Sequence, residues 1–122
     1  DVIGRFKEAG IRTSIFVDPS AEMVRGAKEC GTDRVELYTE SYASGYAENR
    51  EEAIKPFIDA AVAARDLGLG LNAGHDLSLV NLAYFHRMIP WTDEVSIGHA
   101  IICDALYIGL KNTIEAYLQC LK

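Results

Sequence analysis

A repeated change of hydrophobic period constrains this chain more than any other feature. Short, β-branched apolar runs alternate with longer segments whose apolar residues recur every three or four positions. The run Thr13-Ser14-Ile15-Phe16-Val17 reads as a buried strand. Similar runs at residues 34–38, 70–73 and 94–97 predict three more strands. The helix period predicts helices over residues 1–9, 20–30, 49–67, 79–88 and 100–121. In the third of these, Ala53, Ile54, Phe57, Ile58, Ala61 and Val62 fall on one face. Gly10, Gly31 and Gly68 follow three of the helices in the usual C-terminal position for glycine. Asp18-Pro19 predicts a helix start, with Asp18 as the cap. Pro56 falls in the first two turns of its helix, where proline is tolerated better than in the middle. A longer loop is expected from the second strand through Gly45.

This pattern gives β-then-α units behind a leading helix, the signature of an α/β fold with a parallel sheet and right-handed crossovers. Two architectures fit: a complete, small doubly wound sheet, or half of a (β/α)₈ barrel. A whole barrel takes about 250 residues, and this chain has 122. The leading helix without its strand favours the half-barrel. So does the grouping of polar residues just after each strand: Asp18, Thr39 with Glu40, His75 with Asp76, and Gly98 with His99. In a barrel all of these lie on the C-terminal face, where the chemistry occurs. The expectation is one unit over residues 1–122, a C-terminal half-barrel whose N-terminal half, and true N-terminus, lie upstream.

Composition narrows the function. The net charge is −6, with no run of Lys or Arg, which argues against nucleic acid as the main partner. The three cysteines, Cys30, Cys103 and Cys120, are widely spaced and form no C-x-x-C pair, so free thiols in a reducing cytoplasm are expected. No stretch approaches the roughly 20 apolar residues that span a bilayer. His75 and His99 lack a third ligand at metal-site spacing, so no metal is expected.

Three places could carry chemistry. Asn72-Ala73-Gly74-His75-Asp76 closes the third strand. Gly74 permits a sharp turn, and His75 would face the barrel mouth as an acid or base near neutral pH. The alternative is a loop histidine bonded to a backbone carbonyl. Ser96-Ile97-Gly98-His99-Ala100 closes the fourth strand and opens the last helix, whose N-terminal N–H groups suit phosphate. The alternative there is a tight turn needing only the glycine's dihedrals. Glu36 sits within the second strand, where a carboxylate is costly unless paired. It is either an active-site group or half of an ion pair with Arg12 or Arg34. Tyr42 and Tyr46 could form a lid or a subunit contact. His86 suits a surface or packing role.

Four strings occur in order: Ser14-Ile15-Phe16-Val17-Asp18; Val35-Glu36-Leu37-Tyr38-Thr39 with Tyr42-Ala43; Leu69-Gly70-Leu71-Asn72-Ala73-Gly74-His75-Asp76-Leu77; and Ser96-Ile97-Gly98-His99-Ala100-Ile101-Ile102. Together they resemble the C-terminal half of the pyridoxine 5′-phosphate synthase family, across essentially the whole chain. The resemblance implies a cytoplasmic (β/α)₈ barrel of bacterial vitamin B6 synthesis, assembled as a homo-octamer and using no metal or organic cofactor. It implies a transferase that condenses 3-amino-2-oxopropyl phosphate with 1-deoxy-D-xylulose 5-phosphate. The products are pyridoxine 5′-phosphate, inorganic phosphate and water. By the same resemblance His75 is the catalytic proton donor and Glu36 stabilises the transition state. Asp76, Gly98 and His99 contact the aminoketone phosphate. The family's other catalytic histidine and glutamate would lie in the missing half. Two departures stand out: Asp76, where some members have glycine, and Cys103-Asp104, where Ser or Gly then Arg is common. The rival readings are another phosphate-binding barrel enzyme, an isomerase or lyase, and a non-catalytic half-barrel assembly module. No lysine lies in or directly after a strand, which counts against a Schiff-base aldolase.

Overall fold

The computed structural model describes residues 2–122; Asp1, which the sequence pattern includes in the first helix, lies outside them. The elements run α1 (Val2–Glu8), β1 (Ser14–Val17), α2 (Ala21–Glu29), β2 (Arg34–Leu37), α3 (Glu40–Asp66), β3 (Gly70–Gly74), α4 (Leu82–Met88), β4 (Glu94–Ser96), α5 (His99–Ile108) and α6 (Leu110–Gln119). All strand pairs are parallel, in the order β1-β2-β3-β4.

That order bears on the doubly wound alternative. Right-handed crossovers that always step the same way along a sheet place every helix on one face. A doubly wound sheet reverses direction and covers both faces. The doubly wound alternative is therefore overturned. On the helix side, Val17, Val35, Leu37, Leu71 and Ala73 are buried with Ile54, Phe57, Ala61 and Ala64 of α3 and Leu82 and Phe85 of α4 in one apolar cluster. Each large side chain buried there contributes about 1.5–3 kcal/mol relative to exposure.

The other face carries the aligned row Phe16, Glu36, Asn72 and Glu94. Arg12, just before β1, forks onto Glu94 of β4 with N···O distances of 2.7 and 3.0 Å. Three interstrand steps measure about 14 Å in a flat sheet. One Arg–Glu pair bridges that gap and ties the two edges of the sheet together across this face. Arg34 donates to Asn72 Oδ1 at 3.1 Å and lies 3.3 Å from Asp93, while Asn72 Nδ2 donates to Glu94 at 3.3 Å. Arg12 and Glu94 are largely exposed, so their pair adds little stability, whereas Asn72 is buried and Arg34 partly so.

Five local expectations need correction. Residues 40–48 are helical rather than loop, and α3 is two helices joined at Asn49, whose φ of −154° and ψ of 88° break the spiral. Asn49 Oδ1 accepts from the Glu52 N–H at 3.1 Å, so the second segment begins where the sequence pattern puts it. Ser41, Ser44 and Gly45 disguise the first segment, but packing of Tyr42 overrides their weak helix propensity. Tyr42 is accordingly core rather than lid. Its ring meets Tyr46, Phe57 and Phe85, and its hydroxyl donates to the Asn81 carbonyl at 2.7 Å. The last helix breaks at Gly109, whose φ of 80° only glycine adopts freely, giving α5 and α6. Ser20, not Asp18, caps α2 by accepting from the Glu22 N–H at 3.2 Å. Helix α4 starts at Leu82 because the Asn81 side chain holds residues 78–81 in a turn, accepting from the Ser78 N–H at 2.8 Å. Cys30, Cys103 and Cys120 are free thiols.

Two predictions follow from this packing. Asp33 accepts from the Thr13 N–H at 2.8 Å and hydroxyl at 3.0 Å, and pairs with Lys7 at 3.1 Å. These bonds lower its pKa from 3.8 to about 2. The folded state thus favours the carboxylate, a contribution fully present above the unfolded value and lost as pH falls through about 2. In full-length protein, Asp33→Asn should remove stability at pH 6 but cost progressively less on acidification below about 4, as read by urea unfolding. A stability difference independent of pH contradicts it. Second, a Cβ at Gly74 would run into the Ser96 carbonyl oxygen. Gly74→Ala should therefore cost about 2–4 kcal/mol in urea unfolding. A cost under about 0.5 kcal/mol, the range of an uninvolved surface change, would show that β3 and β4 do not meet so closely.

Candidate active site at the strand ends

Parallel pairing brings the C-terminal ends of the strands to one rim, and the candidate residues collect there. Gly74 pairs with Ser96, and the next backbone N–H, that of His75, donates to the Ser96 carbonyl at 2.9 Å. That bond holds the chain in a turn. His75 has a φ of 29°, the only positive φ at a non-glycine among the described residues. Such a conformation costs energy and persists only where neighbours impose it.

Thr39, at the end of β2, is fully buried. Its hydroxyl donates to the Gly74 carbonyl and accepts from the Asp76 N–H at 3.2 Å. Asn81 Nδ2 donates to the Asp76 carbonyl at 3.3 Å, and Tyr42 holds Asn81 in turn. The loop carrying His75 is thus tied to β2, β4 and α3. The His75 side chain itself is 73% exposed, and its Nδ1 lies 3.0 Å from Asp76 Oδ1.

Glu36 lies on the same uncovered face, paired in register with Asn72, two residues before Gly74. Burial pushes its pKa up, and the His75 charge pulls it partly back. The alternative, an ion pair with Arg12 or Arg34, does not form, because both arginines are drawn to the acidic pair at β4, Asp93 and Glu94. No hydrogen bond to the Glu36 carboxyl exists among the described residues.

Gly98 stands at the N-terminus of α5, and no side chain caps that end. The first turn contains no acidic residue, so its free N–H groups and the positive end of the helix stay open to an anion. His99 Nε2 lies 3.5 Å from Cys103 Sγ. Asp104 turns instead to α6, where it accepts from the Tyr117 hydroxyl at 2.8 Å. Among the described residues no group of three or more His, Cys, Asp or Glu side chains could hold a metal. No helix among them is long and apolar enough to cross a membrane.

Two features escaped the sequence reading. Phe16 and Tyr38 bring their rings to 5.3 Å and stay 54% and 37% exposed. Strand alternation puts both on the Glu36 face, a signal that parity alone carries. Thr39 has the composition of an ordinary loop residue, and nothing in the sequence announces its burial as a clamp.

The whole of residues 1–122 matches the family model described as pyridoxal phosphate biosynthesis protein PdxJ. The chain is 62% identical over 122 residues to a pyridoxine 5′-phosphate synthase of Bacteroides thetaiotaomicron, covering 100% of this chain and 52% of that protein. It is 62% identical to the protein of the same name from Cytophaga hutchinsonii and 63% identical to that of Phocaeicola vulgatus, each again over the whole chain and 51% of the relative. The chain therefore spans about half the length of the curated relatives it matches. Agreement at this level along every described element establishes kinship: the chain belongs to the PdxJ family of pyridoxal phosphate biosynthesis proteins.

Proposed function

We propose that residues 1–122 form the C-terminal half of a (β/α)₈ barrel and that the complete protein is a pyridoxine 5′-phosphate synthase. It condenses 3-amino-2-oxopropyl phosphate with 1-deoxy-D-xylulose 5-phosphate, releasing pyridoxine 5′-phosphate, inorganic phosphate and water. The observation that carries this reading is one rim, in a PdxJ-family chain, that holds a half-buried carboxyl, an exposed imidazole and an uncapped helix N-terminus.

The barrel is supported by the one-way winding, the Arg12–Glu94 pair across one face and the two open edges at β1 and β4. Beside β1 and α2 runs a groove of about 610 Å³ lined by Ile15, Val17, Met23, Ala27 and Cys30. At the other edge, Ile102, Leu106, Tyr107, Leu110 and Leu118 of α5 and α6 lie exposed. Both surfaces suit further βα units, and the relatives are long enough to supply them. The resemblance extends the proposal to a cytoplasmic homo-octamer.

In the proposed reaction His75 gives and takes the protons that carbonyl addition and water loss require. Glu36 supports positive charge as it develops. The N-terminus of α5, with Gly98 and His99, takes the substrate phosphate. The remaining acid–base groups come from the other half.

His75→Ala in the full-length enzyme should cut turnover at least about 100-fold, the scale of a lost general acid. Near-normal turnover removes His75 from the mechanism. The Glu36 carboxyl should titrate above the ordinary glutamate range, and higher still in His75→Ala, because the charge that favours its ionised form is gone. Carboxyl ¹³C NMR reads both, and a midpoint that falls in the variant contradicts the coupling.

A further inference from the structure

His75 sits on a rigidly tied loop, yet its ring projects from that loop almost unpacked. An exposed imidazole left to itself samples several rotamers and both neutral tautomers. One contact removes that freedom: Nδ1 lies 3.0 Å from Asp76 Oδ1. An ionised carboxylate only accepts hydrogen bonds, so the proton in this pair belongs to Nδ1. The exchanging atom is then Nε2.

Asp76 is built to do this. Its side chain is only 23% exposed, against 73% for the histidine. Its N–H is given to Thr39 Oγ1, and its carbonyl takes the Asn81 amide. Both partners are themselves buried. A second carboxylate, Glu36 from β2, also faces the ring, but only Asp76 is within hydrogen-bond distance of a ring nitrogen. The same bonds leave Asp76 poorly suited to hold phosphate: its N–H is already committed, and its carboxylate would repel the anion.

We propose that Asp76 is the positioning residue of His75: seated by Thr39 and Asn81, its carboxylate holds the imidazole as the Nδ1–H tautomer and leaves Nε2 to exchange protons with the substrate. This rests on the reading of His75 as the proton shuttle. It replaces the phosphate contact that resemblance assigns to position 76. A chain with glycine there lacks the device and must orient its histidine by other means.

The test uses full-length enzyme labelled with [¹⁵N]histidine, with the His75 ring assigned by its loss in His75→Ala. The wild-type ring nitrogens should report the Nδ1–H tautomer once the ring is neutral. Asp76→Ala should move the ring to the Nε2–H form that free imidazole prefers, and Asp76→Asn, whose amide oxygen still accepts, should largely keep Nδ1–H. In kinetics, Asp76→Ala should lower kcat about tenfold with KM for both substrates within about twofold, and Asp76→Asn should recover most of kcat. A tautomer that does not respond to Asp76→Ala overturns the proposal. So does a KM about tenfold higher with kcat intact, which would return Asp76 to the phosphate site. If Asp76→Ala does not fold, a wild-type ring in the Nε2–H form overturns it alone. The underlying reading fails separately, when His75→Ala retains turnover while the tautomer still follows Asp76.

Discussion

The approach of β3 to β4 at their C-terminal ends governs the rest of the rim. Gly74 has no side chain, so the Ser96 carbonyl can lie against its Cα where any Cβ would collide. That closeness lets the His75 N–H reach the same carbonyl, and the bond holds His75 at positive φ. The turn in turn sets Asp76 over Thr39 and presents the imidazole outward. A missing methyl group thus decides where a side chain three bonds further on can point. The strain of the turn is offset by Thr39, Asn81 and Tyr42, which tie the loop to elements that are buried for reasons of their own.

The sheet divides its work between its faces. One face holds the fold together through Val35, Leu37, Leu71 and Ala73 against α3 and α4. The other carries charge and aromatic surface: Arg34, Glu36, Asn72, Glu94, Phe16 and Tyr38. Period-2 alternation makes this possible, since a residue can be changed on one face without disturbing the other. Within the polar face there is a further division between strands. Around β4 the arginines and acids satisfy each other, Arg12 and Arg34 pairing with Asp93 and Glu94. On β2, in the same register row as Glu94, Glu36 accepts no hydrogen bond among the described residues, and its carboxyl stays partly desolvated. An unpaired carboxyl beside an imidazole is unfavourable for a structural role alone and suited to a chemical one.

Much of the fold is legible in the residues. The β-branched runs place strand ends within one residue, because a buried strand needs such side chains and a turn does not. Glycine after residues 9, 30 and 67 marks helix ends correctly for the same local reason. The errors occur where tertiary contacts overrule local preference. Residues 40–48 have loop-like composition and become helix because Tyr42 has an aromatic pocket to fill. Gly109 breaks an otherwise continuous helix pattern, since tolerance of glycine within a helix cannot be told from a break by period alone. At the rim, the types and order of Glu36, His75 and Gly98 are readable. The bond between His75 and Asp76 is not, because it depends on a backbone turn set by β4, some twenty residues later. Nor is the rejection of the Arg12 and Arg34 pairings to Glu36, which follows from both arginines pairing with Asp93 and Glu94 at β4 instead.

The proposed barrel explains a mismatch between how well this rim is supported and how little it is covered. Thr39 and Asn81 are buried to hold the loop, yet His75, Phe16 and Tyr38 face open solvent. Water would compete for every hydrogen bond a substrate makes there and would screen the charges that stabilise its transition state. Rigid support of an exposed group is useful only when something else excludes that water. A second set of βα units closing against β1 and β4 would do so, placing the Phe16–Tyr38 aromatic surface inside the mouth and leaving Glu36 and His75 in a drier, lower-dielectric cavity. In the proposed reading the chemistry would then be shared by construction: this half would fix the proton shuttle and the phosphate corner, and closure would supply the environment in which they act.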